Sequence, residues 1–560
     1  MSFDIIIYFL FYFAAIFSVI GYGLLFGEIT NIKIVSKNFG YVGLFGLFLL
    51  TIYSYISNFF YSHSFFHNSI LLLIGFFFFL YSLLIRKNLV KKQVFQLISI
   101  FLILFISILI FKTHDDFPYY HFAYSYYLTQ SSSHIGIGPF NHGFRTPSSI
   151  FYMNSLFYLP VIKHYLFHLP ALMIMGFANL IFIDKIFDNL KKNNINFVTF
   201  FSLLSILFVN IFFYRVGEHG TDRSSQILVF ILLIEILLLF NFRYILEDKL
   251  FKIFILIGLI ISLKAFYVLY ILFFIPILIF LTKEDNLIIF KIFKNKFFHF
   301  LVIFVSLILL TNFFNTGCLL YPVSITCFPS FIWSFDLEIV NQMNNWYEQW
   351  SKAGAGPNFR VDNPQMYIKF FNWVPNWIEI YFFNKVSDFI LGTLFLSIVI
   401  YLIFNSKTFR KIEGRKSSMV FIVLLILLIE WFYNHPSLRY GGYVVISSLI
   451  FLAISLRLEK KINLKSNLKN KFQFLILLGF LIFFGRNIDR LLNENEVYSY
   501  NPLTQPYYSF DSKFYSIQNR FDKLLKNYEI CNNGPKNQCL SDLEPRVIKS
   551  FGKYIFINDR

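Results

Sequence analysis

Apolar runs near 20 residues recur along the chain, separated by short polar stretches. A run of that length crosses a hydrocarbon layer of ~30 Å as a helix. The runs do not alternate: residues 71–80 read LLLIGFFFFL, whereas a membrane barrel needs a period of two. The pattern predicts an all-α, polytopic helical membrane protein of about 12–14 membrane segments. Helices are predicted near 3–26, 39–57, 69–85, 95–112, 166–184, 196–214, 225–242, 297–313, 386–404, 418–434, 441–456 and 472–485. The first run is long, with neither a basic leading segment nor a small-residue cleavage site, and reads as a membrane helix rather than a signal peptide.

Residues 253–281 form a long apolar run with lysines on both flanks. A hairpin of two short helices, turning at Ser262, Leu263 and Lys264, keeps both flanks on one side. One long tilted helix is the alternative.

Composition agrees with this pattern. Of 560 residues, 57% are hydrophobic and 14% charged, with mean hydropathy +0.61. Soluble domains carry about 25% charged residues. A disordered chain, a collagen-like fibre and a small disulfide scaffold are excluded. The net charge of +18 does not point to nucleic acid. Its lysines and arginines sit between the apolar runs, at 86–92, 185–192, 243–252, 283–296, 407–416 and 457–471, with Lys33 and Lys37 a weaker pair. The positive-inside rule puts these clusters in the cytoplasm and both termini outside.

The outer side then receives loops 113–165, 215–224, 314–385 and 435–440 and a tail, 486–560, after a bundle of residues 1–485. Five of six Trp fall in the 314–385 loop, and nine of eleven His are outside. Loops on a rigid scaffold are where binding and catalysis concentrate. The Trp residues suit a sugar platform or an interfacial belt. The four cysteines form two close outer pairs, Cys318 with Cys327 and Cys531 with Cys539. Disulfides are expected, since neither pair has the two-residue spacing of a zinc knuckle.

Three constellations carry candidate chemistry. His114-Asp115-Asp116 follows a predicted membrane helix directly. Carboxylates at a lipid boundary are costly without a use, and a partly dry setting raises a carboxyl pKa towards that of a general base. Asp116 also suits an N-cap before Phe117-Pro118, which leaves Asp115 for chemistry. His114 and His121 are candidates to orient substrate, and Arg145, further along the loop, to contact an anion. The second constellation is Arg215, Glu218, His219, Asp222 and Arg223 in one short loop. Thr221 or Asp222 suits a helix cap, and a helix N-terminus flanked by arginines suits phosphate. The third is Lys264 within its apolar run and Arg439 in a tight outer turn. An intramembrane lysine is by default functional, or snorkels; a guanidinium fork fits phosphate.

This topology, with the His114-Asp115-Asp116 motif on an outer loop, resembles the GT-C superfamily of membrane glycosyltransferases. In many of those proteins the acidic motif follows the first helix; here it follows about four. The resemblance implies a multi-pass enzyme of the bacterial cytoplasmic membrane with its active face outward. Its donor would be a polyprenyl-phosphate-linked sugar and its acceptor a glycan or lipid. Asp115 or Asp116 would deprotonate the acceptor, and outer basic residues would hold the lipid phosphate. No resident cofactor is read from the sequence, and a divalent metal is left open. A lipid-linked glycan polymerase or ligase shares these features. A flippase or transporter would want charges deep in the bundle, and Lys264 and Glu235 are the main ones there. A non-catalytic envelope scaffold is a further class.

Overall fold

The computed structural model describes residues 3–30, 38–85, 87–218, 220–241, 246–284, 288–354, 361, 363–407, 417–462, 467–509, 512–535, 538–540, 543–550 and 552–557. Among them the fold is helical throughout the bundle, with one small two-stranded sheet near the C-terminus. Nine described helices are long and apolar enough to cross a membrane, from Asp4–Ile29 to Gly442–Lys461. Three shorter apolar helices join them: Phe197–Phe212, Leu250–Leu263 and Ser418–Asn434. The chain is a multi-pass helical membrane protein.

Local chemistry sets several helix starts. Asn38 caps Phe39–Phe60 by accepting from the amides of Gly40 and Tyr41. Asn196 and Thr199 form a capping box at Phe197–Phe212. Close packing then relies on glycine. A Cβ at Gly21 would collide with the carbonyl of Gly75, and one at Gly46 with that of Val19. Backbones therefore touch where Phe3–Ile29 meets Phe65–Ile85 and Phe39–Phe60.

Helix Gly220–Asn241 is buried along most of its length and is the centre of the bundle. The outer ring includes Phe65–Ile85, Lys296–Thr316 and Ser387–Phe404, whose Leu73, Phe77, Val302, Leu391, Phe395 and Leu402 are exposed. Large apolar side chains exposed on a membrane helix face lipid.

Residues 253–281 form the hairpin. The chain breaks at Lys264, whose backbone is extended (φ −161°, ψ 139°), between helix Leu246–Leu263 and the 3-10 segment Ala265–Phe273. The Phe254 and Phe274 rings lie 5.6 Å apart, so the two arms run antiparallel. Helix Phe274–Glu284 completes the second arm.

The last bundle helix runs on past its predicted end at 485, unbroken from Leu468 to Tyr498. The remaining tail packs on the 113–165 loop. Strand Lys553–Ile557 pairs antiparallel with Arg546–Ser550, and Ile555 bridges to Ile135. Lys553 Nζ donates to the carbonyls of Phe59 (2.6 Å) and Ser133 (2.7 Å). Both expected disulfides are present, Cys318–Cys327 and Cys531–Cys539.

Candidate active site

Four segments distant in sequence meet at one end of the bundle through an ion cluster. Lys264, at the hairpin tip, pairs with Asp222 Oδ1 in the first turn of the central helix. Arg439 Nε donates to Asp222 Oδ2 at 3.0 Å, and its Nη2 to Asp116 Oδ2 at 2.9 Å. Two cations and two carboxylates thus form one neutral chain: Lys264, Asp222, Arg439, Asp116. Burial is graded along it. The Asp222 side chain is 8% exposed, that of Asp116 30%.

The turn that carries Arg439 is built by indoles. Trp377 Nε1 donates to Pro436 O (2.8 Å) and Trp431 Nε1 to Ser437 O (2.7 Å). The Leu438 amide donates to the Tyr381 hydroxyl at 2.9 Å. Gly441 leaves the turn at φ +110°, where side chains are strained. From the central helix, Gln226 donates to Arg439 O and accepts from the Val444 amide. Gln226 and these aromatic residues fix a cation whose sequence context, Ser-Leu-Arg-Tyr, gives no hint of such support.

Asp116 precedes a single π turn, Phe117–His121, and makes no side-chain cap there. Its carboxylate goes to Arg439 instead, and Asp115 is exposed, with no hydrogen bond or ion pair among the described residues. Asp116 is therefore not the side-chain cap expected from sequence. The expected rise in carboxyl pKa is also absent at Asp116. Burial raises it, but its neighbours, the Arg439 guanidinium first among them, together outweigh burial and hold the carboxyl below its ordinary value. Arg439 stays charged: burial opposes this, and Asp222 first among its neighbours more than compensates.

Two histidines border Asp116. His114 Nδ1 accepts from the Asp116 amide at 3.1 Å and lies 3.6 Å from its carboxylate. Burial lowers the His114 pKa, so this approach is a neutral contact. Burial likewise pushes His121 down to about 3, and its Nε2 is buried without a hydrogen-bond partner among the described residues.

Arg215 and Glu218 are not in this cluster. Arg215 Nε donates to Glu218 at 2.7 Å, and Arg490 of the last bundle helix approaches the same carboxylate at 3.4 Å. Arg490 also caps the carbonyls of Ile106 (3.2 Å) and Leu109 (2.7 Å). This triad, beside a cavity of about 260 Å³, closes on itself. Arg490 was missed from sequence because the helix was predicted to end at 485, which left Arg490 in the tail. Arg223 makes no hydrogen bond or ion pair among the described residues. Its guanidinium lies 5.5 Å from the Phe213 ring and its Nη1 is buried. Arg145 rests on Phe335 and Tyr321, away from the ion chain. His219 lies outside the described residues.

Among the described residues, no group of three or more His, Cys, Asp or Glu side chains could hold a metal ion. A larger cavity, about 660 Å³, lies elsewhere, between helices Phe39–Phe60 and Phe65–Ile85. The ion chain is preferred as the site because it holds the convergent charged groups.

A family model described as "Domain of unknown function (DUF8201)" matches residues 5–446. That range includes Asp116, Asp222, Lys264 and Arg439 and stops before Arg490. No curated protein and no solved structure matches the chain.

Proposed function

We propose that this chain, which belongs to the DUF8201 family, is a membrane glycosyltransferase of the GT-C kind. It moves a sugar from a polyprenyl-phosphate donor to a glycan or lipid acceptor. The lysine-rich end lies in the cytoplasm, so the Asp116 end faces outward from a bacterial cytoplasmic membrane.

The observation that carries this reading is Asp116 itself. It is a partly accessible carboxylate, fixed by Arg439 to the tip of the central helix at a membrane boundary. A base for glycosyl transfer must hold the acceptor hydroxyl in line with the anomeric carbon. The bond from that carbon to the phosphate oxygen breaks, and its electron pair leaves with the lipid phosphate. The acceptor oxygen bonds to the carbon, and the hydroxyl proton passes to Asp116. A carboxylate of low pKa is a weak base in the ground state. It stays ionised, however, and stabilises positive charge as the sugar becomes oxocarbenium-like. Arg439 Nη1, which has no partner among the described residues, and Arg223 are the donors available to the phosphate.

Transport is disfavoured by the central helix. Residues 227–234 are apolar without interruption. Glu235, held by Tyr41 and Lys185, lies ~20 Å along the helix from Asp222. Between Arg223 and Glu235 this helix carries no charged residue.

The test is transfer from a radiolabelled lipid-linked sugar pool by the reconstituted protein, with Asp116→Asn and Asp115→Asn checked for folding by gel filtration. Loss of transfer in folded Asp116→Asn, with Asp115→Asn active, is expected. Full activity in Asp116→Asn, or no transfer by wild type from any pool, overturns the reading.

A further inference from the structure

Arg145 sits in an aromatic box in which no acid among the described residues neutralises it. Its Nη1 donates to the Tyr321 hydroxyl at 2.9 Å, and its guanidinium stacks 4.7 Å from the Phe335 ring centroid. It forms no ion pair among the described residues, and its Nε is buried without an acceptor. His142 completes the box. Its ring lies 5.3 Å from Trp346 and 5.3 Å from Tyr347, and its Nε2 is also buried without a hydrogen-bond partner among the described residues. Burial, and then the charge of Arg145, push His142 down to about 4, so its ring is neutral at pH 7. The box therefore holds one uncompensated positive charge and two idle buried ring or guanidinium nitrogens.

Its walls are fixed. Tyr321 and Phe335 belong to a small core with Cys318 and Val340, and Cys318 is disulfide-bonded to Cys327. On the other side, Asn141 donates to the Tyr119 carbonyl, and Gly143 packs against the Tyr120 ring. The box is thus separated from Asp116 by the Tyr119-Tyr120 step of the same loop.

Arg145 is half-buried, and a cation taken partly out of water without a counter-charge is costly. By contrast, Lys264, Arg439, Arg215 and Arg490 near this end are each paired with a carboxylate. We propose that the Arg145 box is a recognition site for an oxyanion carried by the acceptor, a carboxylate or phosphate on an acidic sugar residue. The planar guanidinium supplies a fork for two oxygens, His142 a further nitrogen, and Trp346 a face for the sugar ring. The proposal deepens the transferase reading and rests on it for the ligand's role as acceptor. The anion-binding chemistry stands on the box alone.

The test is tryptophan emission of the full-length protein in detergent, titrated with D-glucuronate, glucose 6-phosphate and neutral glucose. No lipid donor is present. Saturable change with either acid and none with glucose is expected, and the stronger acid identifies carboxylate or phosphate. Arg145→Gln should weaken binding by about tenfold or more. Should that variant fail gel filtration, Arg145→Lys decides in its place. It keeps the charge but loses the fork, and should bind several-fold more weakly. Equal binding of glucose, no binding of either acid by wild type, or unchanged binding in the folded variant overturns the proposal. Binding intact in a protein that never transfers sugar would sink the transferase reading and leave the oxyanion site standing.

Discussion

Asp116 and Arg439 are 323 residues apart in sequence and meet at 2.9 Å. The same guanidinium reaches Asp222 through a different nitrogen. Arg439 therefore sets the distance between an accessible carboxylate and a buried one, a task that needs two separated donors on one rigid plane. Arg439→Lys keeps the charge and offers a single nitrogen. It should fold, as judged by gel filtration, and lose sugar transfer by on the order of 100-fold. Transfer within a few-fold of wild type would mean that charge alone suffices.

The buried half of the chain predicts a coupling energy. Asp222→Asn leaves Lys264 and Arg439 facing a neutral amide. Removing one member of a buried pair costs about 3–5 kcal/mol. Lys264→Met in the same protein removes the stranded ammonium, and Arg439 keeps Asp116. The double variant should therefore be more stable than Asp222→Asn alone, with a coupling of about 1 kcal/mol or more. Thermal unfolding of the four proteins in detergent measures it. Simple additivity would show that Lys264 and Asp222 do not depend on each other.

The periodicity of the chain made the helical bundle readable, and the lysines flanking 253–281 made the hairpin readable. Lys264 is extended there because a turn is the way to keep both flanks at one end. The residues of the ion chain were each legible as charges at helix ends, since such charges stand out against apolar runs. Their pairing was not legible. Nothing local distinguishes Asp115 from Asp116, and the choice is made by Arg439, placed by Trp377, Trp431 and Gln226 from three other segments. The tryptophans read as belt or sugar platform because their donors' partners, turn carbonyls, carry no sequence signal.

Buried histidines make stability depend on pH. His63 and His121 are pushed down to about 3, and His134 and His168 to about 4, in each case chiefly by burial. An unfolded histidine titrates near pH 6.5. The folded state thus binds fewer protons below that pH, and stability is complete above about 6.5 and lost as pH falls from there towards about 4. Each histidine contributes at most about 1.4 kcal/mol per pH unit in that window. Asp116, whose carboxyl is also held low, adds a loss of the same sign only below about pH 4. Melting temperature in detergent should be level from pH 7 to 8 and fall between 6.5 and 4.5. His134→Asn should make the fall shallower. A level profile down to 4.5 would contradict the burial of these rings.

The triad of Arg215, Glu218 and Arg490 predicts the opposite behaviour to the ion chain. Glu218 is 1% exposed and both its oxygens already accept from guanidinium groups, so it is shielded from substrate. Arg490 Nη2 donates to the carbonyls of Ile106 and Leu109, just before the acidic loop. Its work is to hold that strand of chain to the last bundle helix. Glu218→Gln leaves two cations in a site built for one carboxylate and should lower the melting temperature, at a cost of about 3 kcal/mol. The molecules that remain folded should transfer sugar at near the wild-type rate, because the chain from Lys264 to Asp116 is untouched. Transfer per folded molecule, measured after gel filtration, separates the two roles. A stable Glu218→Gln protein without activity would move the base from Asp116 to Glu218.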